Sequence, residues 1–179
     1  IGRFFNAGQA CLAVKRIFLF EKIAEEFMTK FSERAAKEWK LGPQFAADSK
    51  MGPLHTEQQR AEVEAQVADA GKRGAKVVVG GARPTGPDFD KGWYYPPTVV
   101  TEVPLDSRMA TEEVFGPAVP IFIVRDLDEA ITKANASVYG LGSSIFTRDF
   151  AKARKAAEQL QTGYTWVNDI QVAYDQLPF

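Results

Sequence analysis

The segment Phe4-Phe5-Asn6-Ala7-Gly8-Gln9-Ala10-Cys11 carries the only cysteine of the chain and surrounds it with small and amide-bearing residues. A thiolate attacks carbonyl carbon, and the oxyanion that forms needs N–H donors beside it. Gly8 and Ala10 let backbone approach the Cys11 sulfur, while Asn6 and Gln9 supply side-chain amides that fix a loop or donate hydrogen bonds. Cys11 is therefore the candidate nucleophile. Two other readings stand beside it. Free cysteines are among the most buried side chains and then act as small hydrophobes, which would make this a non-catalytic domain with a structural cysteine. A cysteine hydrolase or thioesterase would need a base within hydrogen-bond reach, and His55 is the only histidine. His55 stands beside a helix start, which disfavours the imidazolium, and is expected to be an exposed turn residue. One cysteine and one histidine at unrelated positions make no metal site.

A second stretch with chemical content is Thr111-Glu112-Glu113-Val114-Phe115-Gly116-Pro117. By its residues it is a helical turn stopped by Gly-Pro, with paired glutamates on a solvated face.

The elements that would position these segments alternate between helical and extended patterns. Val14 to Phe20 is strand-like. Ile23, Phe27, Phe31, Ala35 and Trp39 recur every fourth residue, which predicts an amphipathic helix ended by Gly42-Pro43. Thr56 and Gln59 form a capping box for a second helix with Val63, Val67 and Ala70 on its buried face, ended by Gly74. Ala75 to Val79 predicts a short buried strand of the parallel-sheet kind. A Gly/Pro/Asp-rich loop over 82–96 leads to the extended Pro96 to Val100, and Ala118 to Val124 predicts another buried strand. Acidic Asp126 and Asp128 open a helix facing inward through Ile131 and Ala134. The Gly140-x-Gly142 pair lies after a helix and before a strand, the reverse of a dinucleotide fingerprint, and serves a turn. Arg148-Asp149 starts a further helix with Ala153, Ala156, Ala157 and Leu160 inward, and Tyr164 to Asn168 is a strand. The fold class is α/β: a doubly wound, at least partly parallel sheet with helices on both faces.

A chain of 179 residues, 45% hydrophobic and 25% charged, reads as one soluble globular domain. Its formal net charge of -1 excludes a phosphate-backbone binder, so no nucleic acid partner is expected. No apolar run approaches the roughly 20 residues of a bilayer span. A lone cysteine forms no internal disulfide and suits a reducing, cytoplasmic setting.

Asn6-Ala7-Gly8-Gln9-Ala10-Cys11 resembles the active-site cysteine signature of the NAD(P)-dependent aldehyde dehydrogenase superfamily. Pro97-Thr98-Val99, Glu113-Val114-Phe115-Gly116-Pro117, Tyr139-Gly140-Leu141 and Gly163-Tyr164-Thr165-Trp166-Val167-Asn168 follow in that family's order. The resemblance implies that Cys11 adds to an aldehyde, that the cofactor is NAD or NADP, and that the product is a carboxylic acid released from a thioester. It implies that Glu113 accepts hydrogen bonds from the nicotinamide ribose and that Phe115 packs beside it. Phe5, Ile170 and Phe179 fall where the family lines its substrate tunnel. It further implies a catalytic domain over residues 1–179 truncated at both ends, lacking the segments that bind most of the cofactor, supply the base and form the homo-oligomer. Such a piece alone is expected to be inactive.

Overall fold

A computed structural model describes residues 2–171. Four strands form one sheet in the order β1-β4-β3-β2, and two more form a separate pair. β1 (Ile17–Phe20) and β3 (Thr98–Thr101) both run parallel to β4 (Ala118–Val124), with Ile17 opposite Ile121 and Val99 opposite Val119. β4 is the centre of the molecule. Ala118, Val119, Ile121 and Val124 are sealed from solvent, the continuous apolar run expected of a strand flanked on both sides. β5 (Ser143–Ile145) and β6 (Thr165–Val167) pair in parallel. The α/β class with a partly parallel sheet is what the alternation of helical and extended patterns predicts.

α1 (Glu21–Glu38) packs across all four strands of the main sheet. Its inward stripe is Phe27, Phe31 and Ala35, with Trp39 at its end. Ile23, predicted for the same stripe, is 51% exposed, and its neighbour Ala24 packs against the core in that turn instead. α2 (Glu57–Lys72) is capped by Thr56, whose hydroxyl accepts from the Gln59 N–H at 3.1 Å, and buries Val63, Val67 and Ala70. It ends before Gly74, whose φ of +100 is unfavourable for any residue with a Cβ. α3 (Arg108–Thr111) is a single turn. α4 (Leu127–Asn135) and α5 (Phe150–Gln159) are capped by the Asp126 and Asp149 carboxylates, and α4 packs on β1 and β4. No helix of the described residues is long and apolar enough to cross a membrane.

One strand differs from its prediction. β2 (Lys76–Val79) is an edge strand, antiparallel to β3, with Val77 and Val78 42% and 44% exposed. A run of valines favours extended backbone, but it does not say whether the strand sits inside the sheet or at its margin.

Candidate active site

Phe4 anchors the cysteine loop. Its ring is 2% exposed and lies 6.1 Å from Phe31 and 5.9 Å from Trp39, so the stripe of α1 holds the start of the loop. A single 3-10 turn over Phe5–Gly8 follows, in which Asn6, Ala7 and Gly8 take φ of 49, 53 and 72. Two left-handed non-glycine residues in succession store strain, and such strain persists where surrounding contacts over-determine it. Those contacts are visible. The Asn6 amide donates to the Gln9 carbonyl at 3.0 Å and the Gln9 amide donates back to the Asn6 carbonyl at 3.2 Å. Gln9 Oε1 also accepts from the His55 backbone N–H at 2.8 Å, pinning the loop to the approach of α2.

Cys11 emerges from this loop exposed to solvent. That is contrary to a buried structural cysteine. Among the described residues its N–H has no backbone acceptor. The hydrolase reading lacks its base: His55 is exposed as predicted, and no hydrogen bond joins it to Cys11 among the described residues.

The Glu113-Val114-Phe115-Gly116-Pro117 segment is held against this loop by its carbonyls. Buried Arg3 donates to Val14 O at 2.8 Å, to Val114 O at 2.9 Å and to Gly116 O. Burial lowers the Arg3 pKa from its ordinary value, and the Glu113 charge opposes that shift. Gln59 completes only half of the predicted capping box, because its side chain donates to Phe115 O at 2.8 Å instead of returning to the helix cap. Gln66 donates to Glu113 O at 3.2 Å and to a Glu112 carboxylate oxygen at 3.1 Å.

The paired glutamates, predicted to share a solvated face, divide their roles. Glu112 turns to Arg108 at 2.8 Å, and that hydrogen bond holds its carboxyl below the usual range. Glu113 turns to the cysteine loop, where Lys15 Nζ lies 3.0 Å from its Oε1. The same ammonium donates to Ala10 O at 2.9 Å and sits 4.6 Å over the Phe115 ring. One cation thus gathers the peptide next to Cys11, the Glu113 carboxylate and the Phe115 face. Burial, then the Arg3 charge, pull the Lys15 pKa below the ordinary lysine value, while Glu113 and Cys11 pull it up.

The remaining candidates are dispersed. Phe5 is 63% exposed. Ile170 is half-buried, packed with Val14 so closely around Gly2 that a Cβ there would meet both at 3.2 Å. Phe179 lies outside the described residues. Sequence reasoning missed Arg3, Lys15, Gln59 and Gln66. The available signal was two cations flanking a lone cysteine.

Known proteins bear on this arrangement. The sequence model of the aldehyde dehydrogenase family matches residues 1–179. The chain is 42% identical over 178 residues to a protein of Mycobacterium tuberculosis named succinate-semialdehyde dehydrogenase [NADP(+)] 1, covering 99% of this chain and 38% of that relative. It is 40% identical to the succinate-semialdehyde dehydrogenase [NADP(+)] of Deinococcus radiodurans, covering 99% of this chain and 36% of the relative. Among solved structures, betaine aldehyde dehydrogenase from Staphylococcus aureus in complex with NAD+ superimposes with a TM-score of 0.93 at 38% identity, over 99% of this chain and 35% of that one. The chain therefore spans little more than a third of the length of the curated relatives it matches. A cysteine loop clamped to a Glu-x-Phe-Gly-Pro segment, in a chain that the family model matches over residues 1–179 and that shares its fold with a solved relative over 99% of its own length, leads to one conclusion: the chain belongs to the aldehyde dehydrogenase family.

Proposed function

We propose that this chain is the cysteine-bearing catalytic part of an NAD(P)-dependent aldehyde dehydrogenase, with Cys11 as nucleophile and Glu113 and Phe115 as its contacts to the nicotinamide half of the cofactor. The observation that carries the reading is the Lys15 ammonium, which brings the exposed cysteine's loop within one side chain of both cofactor candidates. The residues fit the group. A carboxylate side chain 39% accessible suits two vicinal ribose hydroxyls, and a phenyl face beside it suits a flat heterocycle.

In this reading the Cys11 thiolate adds to the aldehyde carbon, forming a C–S bond while the carbonyl electron pair moves to oxygen. The Cys11 N–H donates to that oxyanion. Bound NAD(P)+ supplies the acceptor for the hydride that leaves carbon as the thioester forms. Water then cleaves the C–S bond, giving the carboxylic acid and returning the thiol. The base for that step and most of the cofactor site belong to polypeptide outside these residues. The piece alone is accordingly inactive, and the full-length protein, expected as a homo-oligomer, performs the turnover. Phe5 and Ile170, with Phe179, supply apolar contacts to the aldehyde. The names of the relatives make a short semialdehyde the first substrate to test, with NADP+ and NAD+ compared. An exposed unpaired thiol suits the reducing cytoplasm.

The deciding experiment follows NAD(P)H formation from succinate semialdehyde and betaine aldehyde by the full-length protein and its Cys11→Ala variant. The parent should oxidise at least one aldehyde and the variant none, while both bind NAD(P)H alike. Undiminished oxidation by Cys11→Ala would sink the proposal.

A further inference from the structure

Lys15 has three partners from two segments of the chain, and each is a component of the proposed site. Its ammonium donates to Ala10 O at 2.9 Å, pairs with Glu113 Oε1 at 3.0 Å and lies 4.6 Å over the Phe115 ring. The side chain is only 21% accessible, so its four-carbon stem and charge are held in one place and not spread over solvent. Such an arrangement is more than a surface ion pair. A mobile carboxylate must be ordered before it receives a diol, and a fixed cation on one of its oxygens does that in advance. Arg3 does not take this role: both of its terminal nitrogens donate to backbone carbonyls, and its buried Nε meets no partner among the described residues.

We propose that Lys15 is a positioning residue: by holding Glu113 Oε1 and the Ala10 carbonyl at once, it pre-orients the ribose-facing carboxylate and ties it to the peptide that presents Cys11. This inference rests on the assignment of Glu113 and Phe115 to the nicotinamide half of NAD(P). It makes cofactor affinity and thiol presentation depend on the same charge, so that they fail together.

The test uses the full-length protein with Lys15→Gln, which keeps a hydrogen-bond donor and removes the charge, and Lys15→Arg, which keeps the charge. Fluorescence titration with NADPH or NADH measures the complete cofactor, ADP measures the adenine half alone, and the rate of Cys11 alkylation by iodoacetamide measures thiol presentation. Lys15→Gln should raise the Kd for NAD(P)H by about tenfold, the size of one charge-assisted contact. It should leave the ADP Kd unchanged and alter the alkylation rate, and Lys15→Arg should recover most of both changes. A purely structural role would weaken ADP as much as NAD(P)H, and that result overturns the inference. So does a Lys15→Gln protein that binds NAD(P)H as the parent does, or one whose Cys11 alkylates at the parental rate. A parent that binds no NAD(P)H overturns the dehydrogenase reading itself, and the inference with it.

Discussion

A Cβ placed on Gly8 would lie 2.2 Å from the Gly116 carbonyl oxygen, so the backbone of the cysteine loop touches the backbone of the Glu-x-Phe-Gly-Pro segment. That contact is direct, and it leaves no room for a side chain. With φ at +72, Gly8 also occupies a region that residues with a Cβ adopt only under strain. Gly8→Ala should therefore destabilise the full-length protein by roughly 2 to 4 kcal/mol, combining overpacking with backbone strain. Thermal unfolding measures it, and a loss below half a kcal/mol would mean that the two segments are not in contact.

The neighbours Glu112 and Glu113 should separate cleanly in binding. On the proposed assignment of Glu113 to the ribose, Glu113→Gln should raise the NAD(P)H Kd roughly tenfold to a hundredfold. Glu112→Gln removes a half-exposed pair with Arg108 and should cost at most about 1 kcal/mol of stability, leaving cofactor affinity intact. Titration of both variants decides, and equal effects on Kd would count against Glu113.

Phe4 and Phe5 are adjacent but differently placed. Phe4→Ala empties a buried aromatic site against Phe31 and Trp39 and should cost about 3 to 5 kcal/mol. Phe5→Ala, at a ring 63% exposed, should change stability by no more than about 0.5 kcal/mol. If Phe5 lines the aldehyde path, its loss should appear as a raised KM with stability unchanged. Steady-state kinetics beside unfolding curves check both.

Alkaline pH should act on Lys15 with opposite signs in two measurements. Burial leads its lowered pKa and the Arg3 charge adds to it, while Glu113 and Cys11 oppose. The folded protein then releases this proton before the unfolded chain does. Between the lowered folded value and the ordinary 10.5 the unfolded chain binds more protons, so this group's contribution to stability rises with pH. The pull on Glu113 is lost in the same window, so NAD(P)H affinity should fall as pH rises toward 10.5. Titrations across alkaline pH should show that decline in the parent and a much weaker one in Lys15→Arg.

Local signals in the sequence carried much of this picture. The cap at Thr56, the stripe of α2 and the apolar run of β4 depend on neighbours a few residues away, and each forms as predicted. What escaped depends on contacts between distant segments. Nothing in the spacing of Arg3 or Gln66 says that their donors close on the carbonyls of Val114 and Glu113. Paired glutamates look alike until the chain turns one to Arg108 and the other to Lys15. Likewise the valines of β2 specify a strand and not its place in the sheet.

The edge position of β2 has a practical outcome for anyone handling this polypeptide. Among the described residues its outward side has no partner strand beside Val77 and Val78, with Lys76, paired to Glu102, as the only charge on the strand. Natural proteins guard such margins with lysines, prolines or a covering helix, since a bare one templates the addition of a further strand. Concentrated solutions of this polypeptide should accordingly self-associate along this seam, drawn by three consecutive valines that a net charge of -1 does little to oppose.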